Sequence, residues 1–258
     1  MVLRKIALAF FVGLLSLSAF AFCVSFSVQS VGLSEAVWLD AVEKSGAVDQ
    51  LIAHSDLGAR ASPELVKRIL TREWISGQAR TLVHNLLSYA KNERADIELV
   101  VDLREPKEKL EALGLGQVQE FQDLPDRVDL LEQTGARESV GQFRQYVQLL
   151  QAAVMASFLG ALISIAALVF LAGDVKSKVR LPSLGLLLGG LSGLLLALGL
   201  GEIARRSLPV EFQATVEVIV APLLGAVNAW AAAFLVIGVL GLAASHWFVK
   251  NGKKAGGT

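Results

Sequence analysis

Four stretches of this 258-residue chain are apolar for about twenty residues each, at positions 6–26, 152–172, 181–201 and approximately 223–248. A helix of roughly 20 apolar residues is what crossing a hydrocarbon core about 30 Å thick requires. A buried core helix of a water-soluble fold is the alternative. It fails because three such runs in the last 110 residues leave no polar faces to shield them. Mean hydropathy is +0.54 and 53% of residues are hydrophobic, but the apolar residues gather towards both ends. Residues 27–148 are an ordinary polar-apolar mixture, long enough for one small domain with its own core.

Basic residues flanking the spans set the expected orientation. Arg4 and Lys5 precede span one; Lys176, Lys178 and Arg180 fill the loop between spans two and three; Lys250, Lys253 and Lys254 follow span four. Those eight share their side with one acid, Asp174, for a charge of +7, which leaves 16 basic and 23 acidic residues opposite. The formal net charge of zero thus conceals a segregation, and gives no footprint for nucleic acid. Both termini and the short loop are assigned to the cytoplasm, and residues 27–148 to the outside of the cell membrane. Trp230 and Trp247, about 25 Å apart along a helix, suit aromatic anchors at the two interfaces of span four.

The expected fold is mainly α and integral to the membrane. Residues 1–26 form a signal anchor, residues 27–148 a helix-rich extracytoplasmic domain with one or two short strands, and residues 149–258 three further spans. Ala19-Phe20-Ala21 resembles a small-x-small cleavage site, but the apolar run is longer than a signal core and continues past it, so retention is expected. The single cysteine, Cys23, excludes an intramolecular disulfide, and Phe22 before it argues against lipidation.

Small residues recur every fourth position through span three, at Gly185, Gly189, Gly193, Ala197 and Gly201. In lipid such a stripe permits close backbone approach and dense van der Waals contact. Span two repeats the device at Ala152, Ala156, Gly160 and Ser164, and span four at Gly225, Ala229 and Ala233, then Gly241 and Ser245. The stripe of span three is expected to serve one neighbour, within the bundle or in a second copy. Between spans three and four, Phe212, Val216, Ile219, Val220 and Leu223 predict an amphipathic outer helix at about 209–222, ended or kinked by Pro222.

In the domain, Ser34 is placed to cap a helix stopped by Gly46, and Ser62-Pro63-Glu64 to open another. Thr71 caps a longer one ending near Asn92. The alternation from Ile97 to Leu103 predicts a strand, with partners available at 118–121, at 24–28 or in a second subunit. Glu105-Pro106 opens a helix stopped by Gly114; a short helix follows around Val128 to Leu131. Another begins near Ser139 and runs unbroken into span two. The run Thr71-x-x-Trp74, then Leu86, Leu87 and Tyr89, then Ile97-x-Leu99-x-x-Asp102-Leu103, resembles a group of uncharacterised bacterial four-span membrane proteins with a helix-then-strand domain between spans one and two. The resemblance covers roughly residues 34–113 and the span arrangement, and implies no activity.

Chemistry is sparse. His54 and His84 lack acidic or cysteine neighbours at ligand spacing, so no metal site is expected. No glycine-rich phosphate loop occurs, so no cofactor is expected either. Gly190-Leu191-Ser192-Gly193 resembles the Gly-x-Ser-Gly of rhomboid intramembrane serine proteases, with His246 as the only later histidine. Ser192 lies roughly 16 Å above the cytoplasmic start of span three and His246 in the last turn of span four, which does not suit a hydrogen bond between them. Glu202, Arg205 and Arg206 cluster at the outer end of span three and Asn228 near that of span four; no charge lies at mid-depth, which disfavours a coupled pump. The residues point to a non-enzymatic protein of the cell envelope that binds a partner or a second copy of itself. An oligomeric channel is the alternative, and a serine hydrolase a remote one.

Overall fold

The computed structural model describes residues 2–44, 68–114, 125–207 and 216–255. In chain order these contain α1 (Val2–Gly32), α2 (Glu35–Lys44), α3 (Arg72–Ala90), β1 (Val100–Asp102), α4 (Arg104–Ala112), β2 (Arg127–Asp129), α5 (Leu130–Thr134), α6 (Arg137–Leu171) and α7 (Val175–Ser207). A π-helical turn at Val216–Val220 then leads into α8 (Ala221–Ala255). The helix opened by Ser62, the Gly46 stop expected after α2 and the strand candidate at 118–121 lie outside the described residues. By contacts the chain divides into two compact units, residues 1–32 with 149–258, and residues 33–148.

Four helices, α1, α6, α7 and α8, are long and apolar enough to cross a membrane. Their packing directions follow from where an added Cβ would collide. Gly185 of α7 faces Leu15, Gly189 faces Ala19 and Gly193 faces Cys23, so α1 and α7 run parallel. Against α8 the order reverses: Ser183 and Leu187 face Gly238, Gly190 faces Ala231 and Leu235, and Gly201 faces Leu224. Gly160 of α6 faces Ser18, while Arg4 Nε donates to the Leu171 carbonyl at 2.7 Å, making α6 antiparallel to α1. Those relations are what alternating spans need.

Buried serines in these helices return their hydroxyls to their own backbone. Ser27 donates to the Cys23 carbonyl, Ser164 to Gly160 and Ser183 to Val179, at 2.6–2.7 Å. Without water, that is how a hydroxyl avoids the cost of an unmade hydrogen bond.

Several expectations are corrected here. The basic residues Lys176, Lys178 and Arg180 are not in a loop but in the first turns of α7, because the Asp174 carboxylate accepts the Ser177 amide at 3.0 Å and caps the helix early. The Ser177 side chain, and after it this amide, also hold the Asp174 carboxyl below its ordinary value. Pro222 is the second residue of α8, directly after the point where the π-helical turn gives way to the α-helix. Of the outer amphipathic segment, residues 208–215 lie outside the described residues, and 216–220 run directly into α8.

In the second unit, Leu33, Leu87, Ala90 and Val147 form a core, with Trp38, Val83 and Phe143 packed on it. α3 begins where the Thr71 hydroxyl accepts the Trp74 amide at 3.3 Å. α4 is followed by Gly114 at φ +74°, a left-handed position that glycine adopts without strain. The strand is shorter than its alternation predicts, and its partner is β2, antiparallel with Val101 opposite Val128. The candidate at 24–28 is helical, inside α1, and Val128 and Asp129 belong to β2, so the short helix starts only at Leu130.

Candidate functional site

The second unit carries a polar groove of about 300 Å³ lined by Trp74, Gln78, Asp102, Arg104, Glu105 and Glu108. Its floor is set by α3. Gln78 and Asn85 are seven residues apart, two helical turns, and so share one face. The Gln78 carbonyl oxygen accepts the Asp102 amide at 3.2 Å, and the Asn85 amide donates to the Glu98 carbonyl at 3.1 Å. Two side-chain amides thereby occupy backbone groups, at Asp102 in β1 and at Glu98 just before it, that face away from β2. Leu103 N–H to the Asp126 carbonyl and Leu130 N–H to the Leu99 carbonyl extend the ribbon on its other side.

Trp74, one turn before Gln78, forms a half-buried indole wall. Opposite it, Asp102 accepts the Arg104 backbone amide at 3.1 Å and pairs with the Arg104 guanidinium. That pairing holds the Asp102 carboxyl well below the usual carboxylate range. Glu105 pairs with Lys109, and Lys107 with Asp126, both at 2.7 Å. The wall is thus a set of mutually compensated charges beside an aromatic face.

A smaller concavity of about 130 Å³ lies between α2 and α3, lined by Leu39, Val42, Glu43, Ser76, Ala79 and Arg80. Across the same helix pair His84 approaches Glu35 at 3.4 Å. On the opposite end of α3, Arg144 lies over the Tyr89 ring, 4.5 Å from its centroid, and donates to Asn92 and to the Ala95 carbonyl.

The stripe of span three is brought into contact, but with two neighbours instead of one. A Cβ on Gly185 would lie 2.9 Å from Leu15, and one on Gly189 would lie 2.7 Å from the Ser16 carbonyl oxygen. Gly193 stands between Cys23 and Ala231, Ala197 is buried, and Gly201 meets Leu224 of α8. Residues four apart advance 40° beyond a full turn, so the stripe winds from α1 to α8. In span four the packing face is Ala231, Gly238 and Gly241; a Cβ on Gly225 would meet nothing within 4 Å, and Ala229 is exposed. In span two Gly160 and Ser164 face inward while Ala152 and Ala156 are exposed. Periodicity alone does not say which of two small-residue faces a neighbour covers.

Trp230 is half-buried in an aromatic cluster, its ring centroid 5.4 Å from Phe22 and 5.2 Å from Phe26, with Phe234 beside it; Trp247 is exposed. Ser192 is exposed on α7 and donates to the Leu188 carbonyl at 3.0 Å, and His246 is exposed on α8. Among the described residues no three His, Cys, Asp or Glu side chains are placed to hold a metal ion. Sequence reasoning missed Gln78 and Asn85, whose only signal is their seven-residue spacing opposite a strand of unknown register.

No protein-family model, no curated protein and no solved structure matches this chain.

Proposed function

We propose that this chain is a non-enzymatic, multi-pass protein of the cell membrane whose extracytoplasmic domain binds a partner of the envelope, or a second copy, while the spans anchor it. The observation carrying the reading is the open Trp74–Arg104 groove in a domain joined to helices suited to lipid. The sidedness, with both termini cytoplasmic, rests on the basic residues around the ends of α1, α7 and α8. Alternating helix directions agree with it: Arg4, at the start of α1, lies against Leu171, at the end of α6. The tight approach of α7 to both α1 and α8 speaks against a water-filled path through those three helices.

The test is purification in mild detergent with mass measurement, beside the variant Trp74→Ala/Glu108→Lys. A specific complex that the variant loses, with its own fold intact by circular dichroism, supports the reading. A strictly monomeric, partner-free protein overturns it. A reporter at residue 100 found inside the cell would reverse the sidedness.

A further inference from the structure

The segment Ala19-Phe20-Ala21 has the small-x-small pattern of a signal-peptidase site. We infer that it is not processed, and that α1 is a permanent member of the bundle, its Ala21–Phe22 bond held inside a packed helix. The inference rests on the membrane reading above and adds to it the fate of the first span.

Three pairs fix the register of the parallel helices: Leu15 with Gly185, Ala19 with Gly189, and Cys23 with Gly193. Each pair differs by the same 170 positions, so Ala21 is level with Leu191. Leu191 is the midpoint of the apolar run 181–201. The Ala21–Phe22 bond is therefore about 15 Å from either end of that run, ten residues at 1.5 Å each. A signal peptidase works at the outer surface on an extended backbone. Here the bond lies within a helix that continues unbroken to Gly32.

Packing also occupies the residues the protease would have to grip. Ala19 is 1% exposed and seated on Gly189. Phe22, just past the bond, is held by Trp230 at 5.4 Å, by Phe234 at 6.2 Å and by Phe158 at 6.4 Å. Removing residues 1–21 would take away Leu15 from Gly185, Ser18 from Gly160, Ala19 from Gly189, and the Arg4 hydrogen bond to Leu171. The glycines left behind would face vacant space, with no hydrophobic effect in lipid to close it.

The experiment is intact-mass measurement and N-terminal sequencing of the full chain, carrying a C-terminal tag, recovered from membranes of a host with active signal peptidase. The expected result is a chain that retains residues 2–21, with or without the initiator Met. A membrane-bound chain beginning at Phe22, or anywhere within α1, overturns the inference while leaving the membrane reading intact. A chain recovered in water without amphiphiles sinks both.

Discussion

Replacing Gly193 by cysteine places a second thiol opposite Cys23, the chain's only native one. A Cβ built at 193 lies 3.7 Å from the Cys23 Cβ and 3.8 Å from its Sγ. Disulfides have Cβ–Cβ separations of about 3.5–4.5 Å, so the pair is within bonding reach without backbone movement. The same Cβ would be 3.3 Å from that of Ala231, which requires a shift of a few tenths of an ångström in α8. The bond would close a loop of about 170 residues, worth ~5 kcal/mol in the chain-entropy model. That figure refers to a fully unfolded chain; spans that stay inserted are already confined, so the gain in lipid is smaller. The assay is oxidation of membranes with iodine, trypsin cleavage in the polar segment between the helices, and a non-reducing gel. The fragment bearing α1 should migrate with the fragment bearing α7, and reductant should separate them. Gly199→Cys is the control, since a Cβ there would meet nothing within 4 Å. Two free thiols in oxidised Gly193→Cys, or equal cross-linking from position 199, would refute the parallel register. A disulfide between two copies would show that α1 and α7 pair across chains.

Further outcomes follow from single contacts. Gly189→Ala drives a methyl against the Ser16 carbonyl oxygen, which no rotamer relieves, and should cost about 1–3 kcal/mol in a mixed-micelle unfolding titration, while Gly199→Ala is near neutral. Asn228→Leu should stabilise the bundle by about 1 kcal/mol in the same titration, because the Asn228 Oδ1 is buried without a hydrogen-bond partner; a loss would mean that the amide has a function to serve. Thr71→Ala removes the hydroxyl that caps α3 and should cost about 1 kcal/mol, read as faster hydrogen exchange at the Trp74 and Ile75 amides. The Asp102 carboxyl is lowered by Arg104, so its contribution to stability is present above the ordinary aspartate value of about 3.9 and is lost only as pH falls through its lower folded value. Carboxyl NMR should find it still ionised at pH ~3.5, and Arg104→Met should raise it part of the way towards the ordinary range, the amide of residue 104 still donating to it.

What the sequence made legible was whatever a single segment decides for itself. The four apolar helices, the Thr71 cap and the Gly114 stop each depend on neighbours within a few positions. The unbroken passage of α6 from Phe143 through Leu150 into the apolar run is of the same kind. What was not legible depends on a partner distant in the chain. β2 is three residues, Arg127-Val128-Asp129, too short to show a period, and exists because β1 needs a partner. Of Ile97 to Leu99 only the Leu99 carbonyl meets the partner segment, accepting Leu130 N–H, while the Glu98 carbonyl accepts the Asn85 side chain. The groove was invisible for the same reason: Trp74 and Asp102 are 28 positions apart, and the Gln78 hydrogen bond to β1 helps to bring them to one groove.

The winding of the glycine stripe bears on how copies of this chain can meet. Each four-residue step turns 40° past a full circle, so the four steps from Gly185 to Gly201 sweep about 160° around α7. A dimer seam of the Gly-x-x-x-Gly kind uses one or two such steps, over which the stripe stays on a single side. A stripe of five small residues must instead leave its first neighbour, and here it passes to a second. Gly185 and Gly189 rest on α1, Gly201 on α8, and Gly193 lies where Cys23 and Ala231 come together. The small side chains are therefore consumed inside one chain, as a wedge among three helices. Any self-association has to use another surface, such as the exposed face of α6 that includes Met155, Leu159 and Ile163. That separates two ways of being an oligomer. If Gly189→Ala abolished a dimer without first loosening the monomer, the wedge would be intermolecular and the assignment of the stripe would fall.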